Sequence, residues 1–190
     1  NVTARAMAKI STPALENETF RYVACKPNYY IAPTNKDKHG KELWNHHKMV
    51  KRTMFNYDGV EGGKTGYTTK AGGTLVTFAK RGDQELIVVD LCAHGYELYE
   101  DTIKMLNYGF NNYKTIAPFK TMNTVLKDDT YGFLKTGNEL SPYKIPLKHL
   151  NDVTVMLEKN QSASKLTYKC KDNKYIISYD GKQIGSVKLH

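Results

Sequence analysis

Apolar positions recur along this chain with two different periods, and the change from one to the other divides it. Thr3 is placed to cap a helix over Ala4-Arg5-Ala6-Met7-Ala8-Lys9-Ile10, a run of strong helix formers. Pro13 lacks an N–H and its ring crowds the preceding turn, so it is expected to kink or end that helix, with at most a short turn continuing through Leu15. Phe20–Cys25 is too short to assign. Tyr29-Tyr30-Ile31 reads as a strand, because Pro33 holds Ala32 extended, and residues 35–41 as a charged loop. Thr74–Lys80 alternates like a strand and Arg81-Gly82-Asp83-Gln84 supplies a hairpin turn. Leu86-Ile87-Val88-Val89-Asp90-Leu91-Cys92 is apolar almost throughout, the pattern of a central strand covered on both faces. Over Glu97–Phe110, Tyr99, Ile103, Leu106 and Phe110 recur at helical spacing. Glu100 and Lys104 are spaced for an i,i+4 pair, and Gly109 is expected near the helix stop.

After about Tyr113 the pattern shifts to short alternating runs at 153–157, 166–170, 175–179 and 184–189, separated by the turn-forming pairs Asp172-Asn173 and Asp180-Gly181. The sequence is therefore read as two parts: residues 1–112, mixing helix with antiparallel sheet, and residues 116–190, a small β-rich module. The boundary falls between 111 and 120.

With 190 residues, 40% hydrophobic and 25% charged, the chain can bury a core and is not a disordered composition. The net charge of +9 favours anionic surroundings such as nucleic acid, anionic lipid or an anionic cell wall. The lysines are dispersed and form no basic run, which argues against nucleic acid. The 14 tyrosines fall mainly in alternating segments, where they serve strand packing. Cys25, Cys92 and Cys170 are odd in number and show no C-x-x-C spacing, so neither a zinc site nor a disulfide framework is expected. Cys92 is read as a buried small hydrophobe. There is no apolar run of membrane-spanning length. The opening Asn1-Val2-Thr3, with no initiator Met, leads to the expectation that the chain is part of a longer protein.

The chemistry concentrates where glycine does. Gly59, Gly62, Gly63, Gly66, Gly72 and Gly73 surround Lys64-Thr65-Gly66, which is followed by Tyr67-Thr68-Thr69-Lys70-Ala71 and a strand hairpin. A second copy, Lys135-Thr136-Gly137, precedes Asn138-Glu139 in the β module and is read as a turn. On a strand, K-T-G offers an ammonium for a carboxylate, a hydroxyl to donate to it, and a glycine that lets a peptide lie close and pair as an added strand. With S-x-x-K and S-D-N, K-T-G is the signature of β-lactamases and penicillin-binding proteins.

Gly59-Val60-Glu61-Gly62-Gly63-Lys64-Thr65-Gly66-Tyr67-Thr68, with Ala71-Gly72 behind it, resembles the active-site strand of the low-molecular-weight penicillin-binding proteins, serine-type D-alanyl-D-alanine carboxypeptidases of peptidase family S11. Thr3–Ala8 resembles the helix before that strand, Asn45-His46-His47-Lys48-Met49 the family's Asn-rich segment, and Asp101–Phe110 the helix closing the catalytic domain. Gly181–Leu189 is similar to the last strands of the family's C-terminal domain. The resemblance implies an α+β fold: part of a penicillin-binding-protein/β-lactamase-like domain, an antiparallel sheet with flanking helices, followed by a small all-β sandwich.

The resemblance also implies roles. Lys64 stabilises charge near the nucleophile, Thr65 binds the substrate's terminal carboxylate, Gly66 allows close approach, and Thr68 lies along the substrate. The Tyr67 N–H forms half of an oxyanion hole, a kind of donor worth about 3–4 kcal/mol of barrier. His46 or His47 stands where some relatives carry an Arg for the carboxylate, and His46 is taken as the substrate contact. No metal or organic cofactor is implied. The expected ligands are a peptidoglycan stem peptide and β-lactam antibiotics, and the expected place is the outer face of the bacterial cytoplasmic membrane.

The nucleophile is missing from this sequence. Ser11, the only serine before Lys64, has no Lys three positions on, and Ser-x-Asn occurs nowhere. Ser141–Lys144 and Ser162–Lys165 match S-x-x-K but lie after the strand, one beside Pro142 and Pro146 and the other running into an alternating segment, so both are read as decoys. The chain alone is therefore expected to be inert. Its partner is the missing first half of the catalytic domain, and without that half it is expected to expose apolar surface and associate, including as a dimer by exchange. The alternatives are a wall-binding or scaffolding protein that keeps the fold without the nucleophile, or a D,D-endopeptidase of the same family. A β-lactamase is disfavoured by the β module.

Overall fold

The computed structural model describes residues 2–50, 53–120, 124–126, 131–136, 139–140, 145–146, 153–172 and 174–188. The chain divides into two compact units, residues 1–111 and 112–190.

The first unit begins with α1 (Ala4–Glu16), capped by the Thr3 hydroxyl, which accepts the Ala6 N–H at 3.2 Å. Pro13 lies inside this helix, and α1 runs on to Glu16, one residue beyond the short turn expected through Leu15. Proline removes only its own N–H, and the helix ends within the next turn, where the Asn17 N–H donates to Ala14 O at 3.2 Å. Asn17 closes α1 and caps α2 (Glu18–Cys25), its Oδ1 accepting the Phe20 N–H at 2.9 Å. The strand expected at Tyr29–Ile31 is β1 (Asn28–Ile31), which pairs with β2 (Lys41–Trp44) in a hairpin whose eight residues are all exposed.

The central feature is an antiparallel sheet of β3 (Val60–Thr68), β4 (Gly72–Arg81) and β5 (Gln84–Ala93) in that order. Among the described residues β4, not β5, is the central strand. The apolar run in β5 is explained by its faces: Val88 joins the core beneath α3, while α1 lies against the strand. Cys92 is exposed, not buried. Ladder partners pass from Thr74–Leu91 to Gly73–Ala93, which leaves Cys92 as the bulged residue in a left-handed conformation (φ 66°).

Helix α3 (Glu97–Asn112) buries Leu98, Tyr99, Leu106 and Phe110 against Leu75, Ala79 and Val88. It continues past Gly109, whose value is close packing and not a stop: a Cβ there would sit 2.6 Å from Leu86 Cδ1. Lys104 pairs with Asp101 at 2.8 Å, three residues away, and not with Glu100. Strand side chains alternate between faces. Leu75, Thr77 and Ala79 therefore look toward α3, while Val76 and Phe78 look toward α1 and α2, where Phe20 meets Phe78 (ring centroids 6.3 Å apart).

The second unit is all β in its described strands. β6 (Tyr113–Ile116) pairs with β11 (Val155–Glu158). β12 (Leu166–Lys171), β13 (Lys174–Tyr179) and β14 (Lys182–Lys188) form an antiparallel meander. The two sheets share a core of Phe119, Val155, Leu157, Leu166, Tyr175 and Ile177. Asp180 and Gly181 both have positive φ (46° and 75°), which a tight hairpin turn requires. A third sheet, of four short strands, holds β7 (Thr124–Leu126), β8 (Tyr131–Thr136), β9 (Glu139–Leu140) and β10 (Ile145–Pro146).

Candidate functional site

Lys64-Thr65-Gly66 lies inside the nine-residue β3, not in a turn, with Val76, Leu75 and Thr74 of β4 opposite. Among the described residues no strand pairs with the other edge of β3. Two glycines make the local backbone possible. A Cβ on Gly63 would run into Val76 O and sit 2.6 Å from His47 Cδ2, and a Cβ on Gly66 would lie 2.6 Å from Thr74 Oγ1. Gly66 thus admits its own cross-strand neighbour.

At the edge of β3 is a groove of about 380 Å³ lined by Lys64, Thr65, His46, by Lys26 just after α2 and, from the β1–β2 hairpin, by Tyr29 and Trp44. A second groove of about 380 Å³ lies between α1, α2 and β4, with Ile10, Phe20, Val76 and Phe78 in its wall, and Lys64 borders this one too. The Lys64 ammonium is exposed and donates to Thr65 O at 2.6 Å.

The two histidines have separate fates. His46 is exposed in the groove. His47 is 0% exposed, with Nε2 2.9 Å from Thr77 Oγ1 and its ring edge-on to Tyr99. Burial pushes its pKa down to about 4. Its buried Nδ1 has no hydrogen-bond partner among the described residues, so a second ring proton would go unsatisfied. His47 therefore stays neutral and supports β3 from beneath Gly63. Asn45 fixes the segment from the other side. Its Nδ2 donates to Ala24 O and Lys26 O at 3.2 and 3.0 Å, and its Oδ1 accepts the His47 N–H at 3.0 Å.

The structure thus brings Lys64, Thr65 and His46 to one groove. Gly66, Tyr67 and Thr68 continue along β3 outside the groove lining, Tyr67 being 77% exposed. The Thr68 hydroxyl accepts the Ala71 N–H at 3.0 Å and so holds the turn after β3. Lys26, Tyr29 and Trp44 were not anticipated as lining residues. The four residues of β2 are too few to show a period, and the charged loop before them masked the pairing that brings Trp44 beside Lys64. Among the described residues no cluster of His, Cys, Asp and Glu could hold a metal ion, and no helix is long and apolar enough to cross a membrane.

The motifs set aside fall as follows. Lys135 and Thr136 end β8, opposite Leu140 and Glu139, so these two are strand residues and not the turn expected, and Gly137 lies outside the described residues. Ser141–Lys144 also lies outside them. Ser162 caps a one-turn helix (Ala163–Lys165), with its hydroxyl 2.8 Å from that of Ser164, and Lys165 lies 3.9 Å from Asp180.

Comparison with known proteins agrees with this picture. The D-alanyl-D-alanine carboxypeptidase DacF of Bacillus subtilis is 29% identical over 154 residues, covering 78% of this chain and 37% of the relative. A D-alanyl-D-alanine carboxypeptidase of Streptomyces sp. strain K15 is 33% identical over 109 residues, covering 57% of this chain and 37% of the relative. The chain thus spans little more than a third of the length of either. Penicillin binding protein 5 from Haemophilus influenzae superposes with a TM-score of 0.62 at 22% identity, covering 98% of this chain and 54% of that structure, which supports the α+β fold. Residues 1–95, half of the sequence, match the profile of the D-alanyl-D-alanine carboxypeptidases, and the chain belongs to that family, peptidase S11.

Proposed function

We propose that this chain carries the substrate-binding strand of a serine-type D-alanyl-D-alanine carboxypeptidase acting on peptidoglycan stem peptides at the outer face of the cytoplasmic membrane. The observation that carries the reading is the meeting of Lys64, Thr65 and His46 on one groove at the open edge of β3. The Lys64 ammonium and Thr65 hydroxyl receive the terminal carboxylate of an acyl-D-Ala-D-Ala peptide. The free edge of β3 offers backbone groups for added-strand pairing, and the Tyr67 N–H is directed to the scissile carbonyl oxygen. In the reaction a serine hydroxyl attacks that carbonyl, the C–N bond breaks, D-Ala leaves as the amine, and water hydrolyses the acyl-enzyme. Because no serine before Lys64 has a lysine three positions on, this reading takes that serine and its lysine from a segment outside these 190 residues, and penicillin acylates the same serine.

Two measurements test this. An acetylated D-Ala-D-Ala peptide titrated into the chain should perturb the amide signals of Lys64 and Thr65, and its C-terminal amide, or the variant Thr65→Val, should lose that response. Fluorescent penicillin should leave the chain unlabelled. Binding indifferent to the carboxylate would sink the substrate assignment, and covalent labelling would sink the placement of the nucleophile.

A further inference from the structure

The β3 groove extends well past the pair assigned to the terminal carboxylate. It is bordered by Lys64 and Thr65 but not by Gly66 or Tyr67, so it opens on the side of Thr65 away from the scissile carbonyl. That is the side of the leaving residue. At about 380 Å³ it is far larger than the methyl group of an alanine and falls within the range of small-ligand sites. Its exposed surface is mostly apolar, from Val23, Tyr29, Leu43 and Trp44, and Lys26 is the second lysine in its wall beside Lys64. Among the described residues no carboxylate lines it.

Two details set the charge of this groove. The Lys26 ammonium rests over the rings of Tyr22 of α2 and Tyr29 of β1, 4.4 and 5.2 Å from their centroids, which holds it where the helix meets the hairpin, and Lys26 also borders a neighbouring groove with Glu61. The carbonyls at the end of α2 would otherwise present partial negative charge, but Ala24 O and Lys26 O are occupied by Asn45 Nδ2. Beside the neutral polar groups of Asn28, Asn45 and Thr65, the groove thus presents the two lysines, His46 and apolar surface.

We propose that this groove is a leaving-residue subsite that accepts a C-terminal D-residue longer than alanine and bearing a second anionic group, with Lys26 as the specificity-determining residue. The proposal rests on the substrate reading above: the α-carboxylate sits at Lys64 and Thr65, the longer side chain lies along Trp44 and Leu43, and its anionic end meets Lys26. A peptide ending in D-Ala leaves Lys26 unused.

Three peptides separate the possibilities, acetyl-Lys-D-Ala followed by D-Ala, D-Glu or D-Gln, with affinity for the 190-residue chain measured by calorimetry. The D-Glu peptide is expected to bind about fivefold tighter than its neutral isostere D-Gln, the size of a partly exposed ion pair. Lys26→Met should abolish that preference while leaving the D-Ala peptide within about twofold, and Lys26→Arg should retain it. Raising the salt should shrink the D-Glu advantage and not the D-Gln affinity. Equal binding of D-Glu and D-Gln, or a preference that survives Lys26→Met, overturns the subsite and leaves the carboxypeptidase reading standing. Failure of all three peptides to bind overturns both.

Discussion

The sheet of β3, β4 and β5 has two faces that differ in closure. Toward α3, the residues of the core cluster, including Leu75, Ala79, Val88 and Leu106, are at most 7% exposed. Toward α1 and α2, Phe78 is buried, but large apolar helix residues on that side are not: Ile10 is 57%, Phe20 41% and Val23 66% exposed. Lys64 borders the grooves on the open side, whereas His47 and Thr77 brace the same strand from the closed side. One face fixes the strand, and the other leaves its chemistry accessible.

This contrast predicts unequal mutational costs. Leu106→Ala removes a fully buried side chain from the closed face and should lower the unfolding free energy by about 4 kcal/mol. Phe20→Ala on the open face should cost about 1 kcal/mol despite the larger ring, because much of that ring already meets water. Denaturant titrations of both variants measure the difference, and equal losses would erase the distinction between the faces.

The next effect belongs to His47. Its folded pKa of about 4 lies below the ordinary 6.5. Between those values the unfolded chain binds a proton that the native state refuses, so stability falls as pH drops from about 6.5 to 4 and is unaffected above that window. The loss attributable to this ring is roughly 3 kcal/mol, and His47→Gln should remove it from the pH profile. A variant profile parallel to that of the wild type would mean that His47 is not desolvated and that the bracing contact is wrong.

Much of this architecture was readable where residue type and geometry are tightly linked. Lys64-Thr65-Gly66 reads as a strand because glycines and alternating residues surround it, and α3 follows from Tyr99, Ile103, Leu106 and Phe110. The misreadings arise where tertiary contacts override local preference. Cys92 is turned outward by a bulge that no property of cysteine announces. Gly109 serves a distant leucine. Within the site, a sequence places His46 and His47 side by side and cannot separate them, since only the packing of Thr77 and Gly63 around one ring tells brace from lining residue. Lys26 was invisible for the same reason, because nothing at the end of α2 tells that the β1–β2 hairpin folds beside it to complete the groove.

The smallest expected effect probes a flaw in the closed face. Asp90 lies on β5 two residues beyond Val88 and so shares its side of the sheet. Its Oδ2 is buried with no hydrogen-bond partner among the described residues, and burial, then repulsion from Asp101, raises its pKa above the ordinary 3.8. A carboxyl with a raised folded pKa binds its proton more tightly in the native state, so the protein loses stability as pH climbs above 3.8. Asp90→Asn keeps the shape and removes the charge. It should stabilise the chain at neutral pH by less than about 1 kcal/mol, since the group is only partly desolvated, and the gain should vanish in acid where aspartate is itself protonated. Thermal melts at pH 7 and pH 3 provide the check. A lower Tm for Asp90→Asn at pH 7 would mean that the ionised carboxylate is stabilised in the native state, and the closed face would then carry a buried anion site where the structure shows a defect.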